Sequence, residues 1–176
     1  MGILQQILGG PQGDRFANQT ADFSRHDTDD FNKWSELVGS APPDHVQEAY
    51  TQAARQVPAQ DYNDHITPGV GGTNPLGGLG GGMLGTLAGH LLGGLGGGAA
   101  AGSIPGVKTT NPSEMSEQDV AALADYMRRN HPEQFGKVAA QVGQENPGML
   151  QKLMGHKMLL LAAAGLAGKL LTDSKR

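Results

Sequence analysis

Glycines recur at every fourth residue through the middle of this chain: Gly77, Gly81, Gly85, Gly89, Gly93 and Gly97, with Ala101 continuing the row. Residues four apart share one face of an α-helix. A face without side chains lets a second backbone approach closely, the small-xxx-small logic of helix packing in membranes. The same glycines oppose the helix they would line. Twelve of the 22 residues from Gly77 to Gly98 are glycine, and each interior glycine costs a helix about 1 kcal/mol relative to alanine. A lone helix in water is therefore not expected. What remains is a helix sheltered in lipid or in a tight bundle, a flexible linker, or a glycine-rich self-assembling element.

Charge patterning keeps the first option open. From Gly69 to Val107 there is no Asp, Glu, Lys or Arg, and His90 is the one titratable residue. A helix from Leu76 to Gly98 would rise about 34 Å, enough for a hydrocarbon core. Leu79, Leu84, Leu87, Leu91, Leu92 and Leu95 supply its apolar content, roughly −2 to −4 kcal/mol towards insertion, which is marginal. Pro75 and Pro105 bracket the segment. His90 reads either as a proton-sensitive group inside a membrane or pore or as a polar residue in a linker.

This segment divides the 176 residues into an N-terminal region, 1–68, the glycine-rich segment, 69–112, and a C-terminal region, 113–176. Each flank is polar and short of large apolar residues, with four Phe, three Tyr and one Trp in the whole chain. Neither can build a generous core alone. The net charge of −4 and the absence of a Lys/Arg run argue against a nucleic-acid partner. The lack of cysteine excludes disulfides and thiolate metal sites. No positively charged n-region precedes the opening Met1–Gly10 stretch, so no secretory signal peptide is read. Membrane-associated and cytoplasmic locations both stay open. Gln6 occupies the place where a myristoylation motif wants Ser or Thr.

The N-terminal region reads as short helices. Residues 1–10 read either as a short amphipathic turn of helix stopped by Gly9, Gly10 and Pro11 or as a frayed terminus. A helix is predicted to begin near Thr28 or Asp29, with Phe31, Trp34, Leu37 and Val38 as its apolar stripe. The next starts at Pro43, carries Val46, Ala49, Tyr50, Ala53, Ala54 and Val57, and closes at Pro58. Ala59 to Ile66 forms another short helix.

The stretch Pro43-Asp44-His45-Val46-Gln47-Glu48-Ala49-Tyr50-Thr51-Gln52-Ala53-Ala54-Arg55-Gln56-Val57-Pro58-Ala59-Gln60-Asp61-Tyr62 resembles a helical segment of uncharacterised glycine-rich bacterial proteins. Those proteins share a Met-Gly-Ile-Leu-type opening ending in Gly-Gly and an alanine- and leucine-rich final helix, as Leu159 to Leu171 is here. The resemblance covers about a third of the chain. It implies a bacterial origin and this helical organisation, with no activity attached. The mid-chain position of the glycine tract departs from the group's pattern.

The C-terminal region is the most regular. Ser116-Glu117-Gln118-Asp119 is a capping signal, followed by Val120, Leu123, Ala124 and Met127 on one face. Asn130-His131-Pro132 separates this helix from the next, whose core face is Phe135, Val138, Ala139 and Val142. A third begins at Pro147 with Met149, Leu150, Leu153 and Met154. The final apolar run, Met158 to Leu171, is too short to span a bilayer. It suits a buried helix or a membrane interface. Its small residues, Ala162 to Gly168, would pack closely against the glycine row.

Nothing in the chain carries recognisable chemistry. Histidines 26, 45, 65, 90, 131 and 156 form no ligand spacing. There is no Gly-x-Ser-x-Gly elbow and no P-loop, and no strand-like run supports a dinucleotide fold. Asp27, Asp29 and Asp30 lack the glycine and distal Glu of a calcium loop. The expectation is an all-α, non-enzymatic protein without cofactor, catalytic residue or metal, part of it disordered. Its glycine row, Gly77, Gly81, Gly85, Gly89, Gly93 and Gly97, mediates helix contact in a membrane or in self-association. The alternative is a soluble interaction protein, two helical modules on a glycine tether, with an unidentified protein partner.

Overall fold

The computed structural model describes residue 38, residues 41–66 and residues 76–173. All regular structure among them is helical. The readings of residues 1–10 and of a helix from Thr28 lie outside the described residues, except that Val38 is helical and half-buried against the core.

Helix α1 is Pro43–Gln56 and α2 is Ala59–Ile66. Proline at the first position and Asp44 in the first turn start α1 where its missing N–H costs nothing. Helix α3, Gly81–Gly94, follows a turn in which Leu76 and Leu79 are buried. It is 14 residues long, about 21 Å, well short of the expected span from Leu76 to Gly98. The reason is glycine chemistry at its C-terminus. Gly96 has φ 86, the left-handed conformation that ends helices. The Gly97 N–H returns to the Leu92 carbonyl (2.9 Å) and the Gly96 N–H to that of Gly93 (3.1 Å), a Schellman cap. No helix among the described residues is long and apolar enough to cross a membrane.

A short α4, Gly98–Ala101, leads into a loop that buries Ile104 and Met115. Helix α5, Glu117–Asn130, opens on a complete capping box between Ser116 and Asp119. Helix α6 is Pro132–Glu145 and α7 is Pro147–Asp173, interrupted at Gly155 (φ 73, ψ 164). The apolar faces expected for α5 and α6 are buried: Val120, Leu123, Ala124 and Met127 on one, Phe135, Val138, Ala139 and Val142 on the other.

Helix α6 lies at the centre, packed against α1, α3, α5 and α7. Its antiparallel pairing with α1 is close. A Cβ at Gly136 would stand 2.8 Å from the Gln47 carbonyl oxygen and 2.9 Å from the Thr51 nitrogen. Helix α7 also runs antiparallel to α1, as three pairings show: Lys169 bonds Glu48, Gly165 faces Gln52, and Lys157 meets Asp61 of α2 at 3.2 Å. The packing thus ignores the divisions expected near residues 68 and 112. The two flanks share one core with the glycine-rich helix, because neither has enough large apolar side chains to bury a core by itself. The small side of the last helix likewise packs on α1, not on the glycine row.

Candidate functional site

The sequence points to α3, and its two faces differ sharply. Leu84, Leu87, Ala88, Leu91 and Leu92 are buried. Apolar residues at this spacing turn one side of the helix into the core. On the remaining surface a Cβ built at Gly81, Gly82, Gly89 or Gly93 would meet nothing within 4 Å. Gly85 is different, with the Pro112 carbonyl oxygen 3.2 Å from that point. Gly77 precedes the helix and Gly97 follows it. The row of six thus reduces to four on the helix, three of them open. Met83 stands on the same helix, 48% exposed. Gly94 lies off the row and is confined, with Val138 Cγ2 and Met127 Cε at 2.7 and 2.9 Å from its Cβ position.

His90 bridges helices. Its Nε2 lies 2.9 Å from Glu145 Oε2 at the end of α6. The pair fastens the glycine helix to the centre of the fold, a role neither sequence reading of His90 anticipated.

The densest polar arrangement lies elsewhere, at the meeting of α2, α5 and α7. Arg128, 5% exposed, donates from Nη1 to the carbonyls of Ala54 and Val57, each at 3.1 Å, where α1 ends. Its Nη2 reaches Asp125 at 3.4 Å, and its guanidinium lies 5.0 Å from the Tyr62 ring centroid. Asp125 also binds Arg129 and, with the amide turned to satisfy both groups, Asn63 at 2.9 Å. Tyr62 is wholly buried, stacks edge-on against Phe135, and donates to the Leu153 carbonyl at 3.0 Å. Burial pushes its phenol far above the ordinary range, Arg128 opposing and Asp125 reinforcing that shift. It stays a neutral donor. Apart from the Arg128 Nε, which is buried without a hydrogen-bond partner, these polar groups close on backbone or on one another and fasten α1, α2, α5 and α7 together. Sequence reasoning missed it. The signal was there as Asp125 and Arg128, three apart and therefore neighbours at the edge of the helix's apolar face.

Asp119 is the other buried carboxylate among the described residues. It accepts from the Lys108 N–H (2.7 Å), the Ser116 N–H (2.9 Å) and the Ser116 hydroxyl (2.6 Å). Burial alone would raise its pKa. The Ser116 side-chain bond, the two backbone bonds and the Lys108 charge outweigh burial and hold it below the usual carboxylate range. Among the described residues no three His, Asp or Glu side chains are grouped to hold a metal. No family model, curated protein or solved structure matches this chain.

Proposed function

We propose that this is a non-enzymatic helical protein that acts by association, with the open glycine face of α3 as its contact surface and a second copy of the chain as the partner. The observation that carries the reading is the space at Gly81, Gly89 and Gly93, where nothing beyond the helix's own neighbouring backbone lies within 4 Å of a Cβ position. Another helix can come down on that backbone without displacing a side chain, the requirement of small-xxx-small packing. Helix α3 contains no Asp, Glu, Lys or Arg, so the helix itself brings no carboxylate, ammonium or guanidinium group to the contact. A contact limited to about 21 Å of helix buries less than a standard interface, so the association is weak and concentration-dependent.

A second reading, attachment to a membrane surface, is favoured by Met83 exposed on the same uncharged helix.

Sedimentation velocity over a rising concentration series tests the first reading. The parent should gain weight-average mass. Gly89→Leu with Gly93→Leu should stay monomeric, and Gln141→Leu with Gln144→Leu, on the exposed surface of α6, should behave as the parent. A parent that remains monomeric throughout overturns the reading. Co-sedimentation with neutral and anionic vesicles decides the second.

A further inference from the structure

Helix α7 is helical on both sides of one residue. Gly155, at φ 73 and ψ 164, is the single non-helical position between Pro147 and Asp173. That conformation belongs essentially to glycine. Nothing else interrupts the run, since no proline follows Pro147.

The bend is clasped from α2. His65 Nε2 bonds the Lys152 carbonyl at 2.9 Å and Tyr62 donates to the Leu153 carbonyl at 3.0 Å. Both carbonyls belong to the last turn before the break, where a helix leaves acceptors in want of donors. The His65 ring also fills the space beside the bend. A Cβ at Gly155 would lie 2.8 Å from two of its carbons. Past the bend, residues 156–173 turn back along α1, burying Met158, Leu159, Ala162, Ala163 and Leu166. Lys169 then reaches Glu48.

We propose that Gly155 is an exchange hinge: when it adopts helical angles, α7 becomes one continuous helix and residues 156–173 pack on α1 of a second copy, giving a reciprocal, domain-swapped dimer. Straightening within one molecule would expose Leu159 and Leu166 to water. Exchange between two copies restores every one of those contacts, so the cost falls on the bend alone. In the exchanged state α7 is about 40 Å long. It gains a helical turn at residue 155 and gives up the two bonds from α2. The exchange needs nothing from the glycine face of α3, so Gly89→Leu with Gly93→Leu leaves it intact. The two associations fail or succeed separately.

Gly155→Ala tests the hinge. Alanine is strained in the bent state of each of two chains and favours a helix. The dimer-to-monomer ratio at fixed concentration, read by size exclusion with light scattering after refolding, should rise about tenfold or more. His65→Ala, which loosens the clasp and leaves residue 155 a glycine, should raise it in the same direction. The absence of cysteine allows a direct readout. A chain carrying Gln52→Cys is refolded with a size-tagged chain carrying Gly165→Cys, positions that face each other, and oxidised. With Gly155→Ala in both, the mixed disulfide should form, and in the unswapped parent it should not. Three results overturn the proposal. One is a Gly155→Ala protein that stays monomeric. Another is a dimer without the mixed disulfide. The third is loss of helical circular dichroism, because an exchanged chain keeps all its helices.

Discussion

The Tyr62 hydroxyl donates to the Leu153 carbonyl at 3.0 Å, joining two residues 91 positions apart in the chain. One end of the bond lies in the N-terminal region and the other in the last helix. The same ring meets Phe135 of α6 and Arg128 of α5. One side chain thus touches the three C-terminal helices together.

Tyr62→Phe keeps the ring contacts and removes the bond. With a buried carbonyl left short of a donor, it should cost about 1–2 kcal/mol. The urea midpoint would fall at unchanged m-value. No shift in midpoint would show that the carbonyl finds another donor at no cost.

Arg128→Ala should cost more, about 3–5 kcal/mol, because it strips the end of α1 of two donors and leaves Asp125 buried with fewer partners. Combined with Asp125→Ala, the total should be smaller than the sum of the two single losses. Arg128→Lys should rescue little, since only the guanidinium fork reaches both carbonyls and the carboxylate. Full stability in the lysine variant would refute this geometry.

Gly136→Ala and Gly89→Ala are the same chemical change with opposite expected signs. At Gly136 the new methyl runs into the backbone of α1 at 2.8–2.9 Å, an overpacking of about 1–3 kcal/mol. At Gly89 it meets open space and raises helix propensity, a gain of up to about 1 kcal/mol. Thermal melts of the two variants beside the parent decide, and a like sign for both would contradict the packing described.

Asp119 sets an acid limit. Its folded pKa lies below that of the unfolded chain, about 3.9. Its contribution is fully present above that unfolded value and disappears as the pH falls through the folded pKa. Stability measured between about pH 2 and 5 should fall less steeply in Asp119→Asn than in the parent. At neutral pH, Ser116→Ala should cost about 1 kcal/mol through the lost cap. Parallel pH profiles for parent and Asp119→Asn would contradict the assignment.

Local rules made most helices legible. Pro43, Pro132 and Pro147 stand at helix starts, Ser116 and Asp119 form the predicted box, and the apolar spacings on α5 and α6 are the buried ones. What escaped depends on distance in the chain. The closest helix contact falls on Gly136, an isolated glycine, because closeness is set by which helix arrives opposite, not by glycine density. The length of α3 was overread because Gly96 and Gly97 fit the four-residue row as well as the cap that ends it. The Arg128 cluster was overlooked because the carbonyls it binds lie more than 70 residues away.

Interleaving of the two flanks also has a consequence in time. The partners of α1 are α6 and α7, and more than a hundred residues separate its end at Gln56 from the end of α7 at Asp173. At synthesis rates of about 5–20 residues per second, α1 waits roughly 6–23 s for its last partner to leave the ribosome. Until α6 and α7 arrive its inner side is uncovered. That side is chiefly Ala49, Ala53 and Ala54, with Val46, Val57 and the ring of Tyr50. A surface of small side chains offers little area for premature association. The alanines that let α6 and α7 approach α1 closely in the finished protein also leave the nascent helix little to stick with while it is alone.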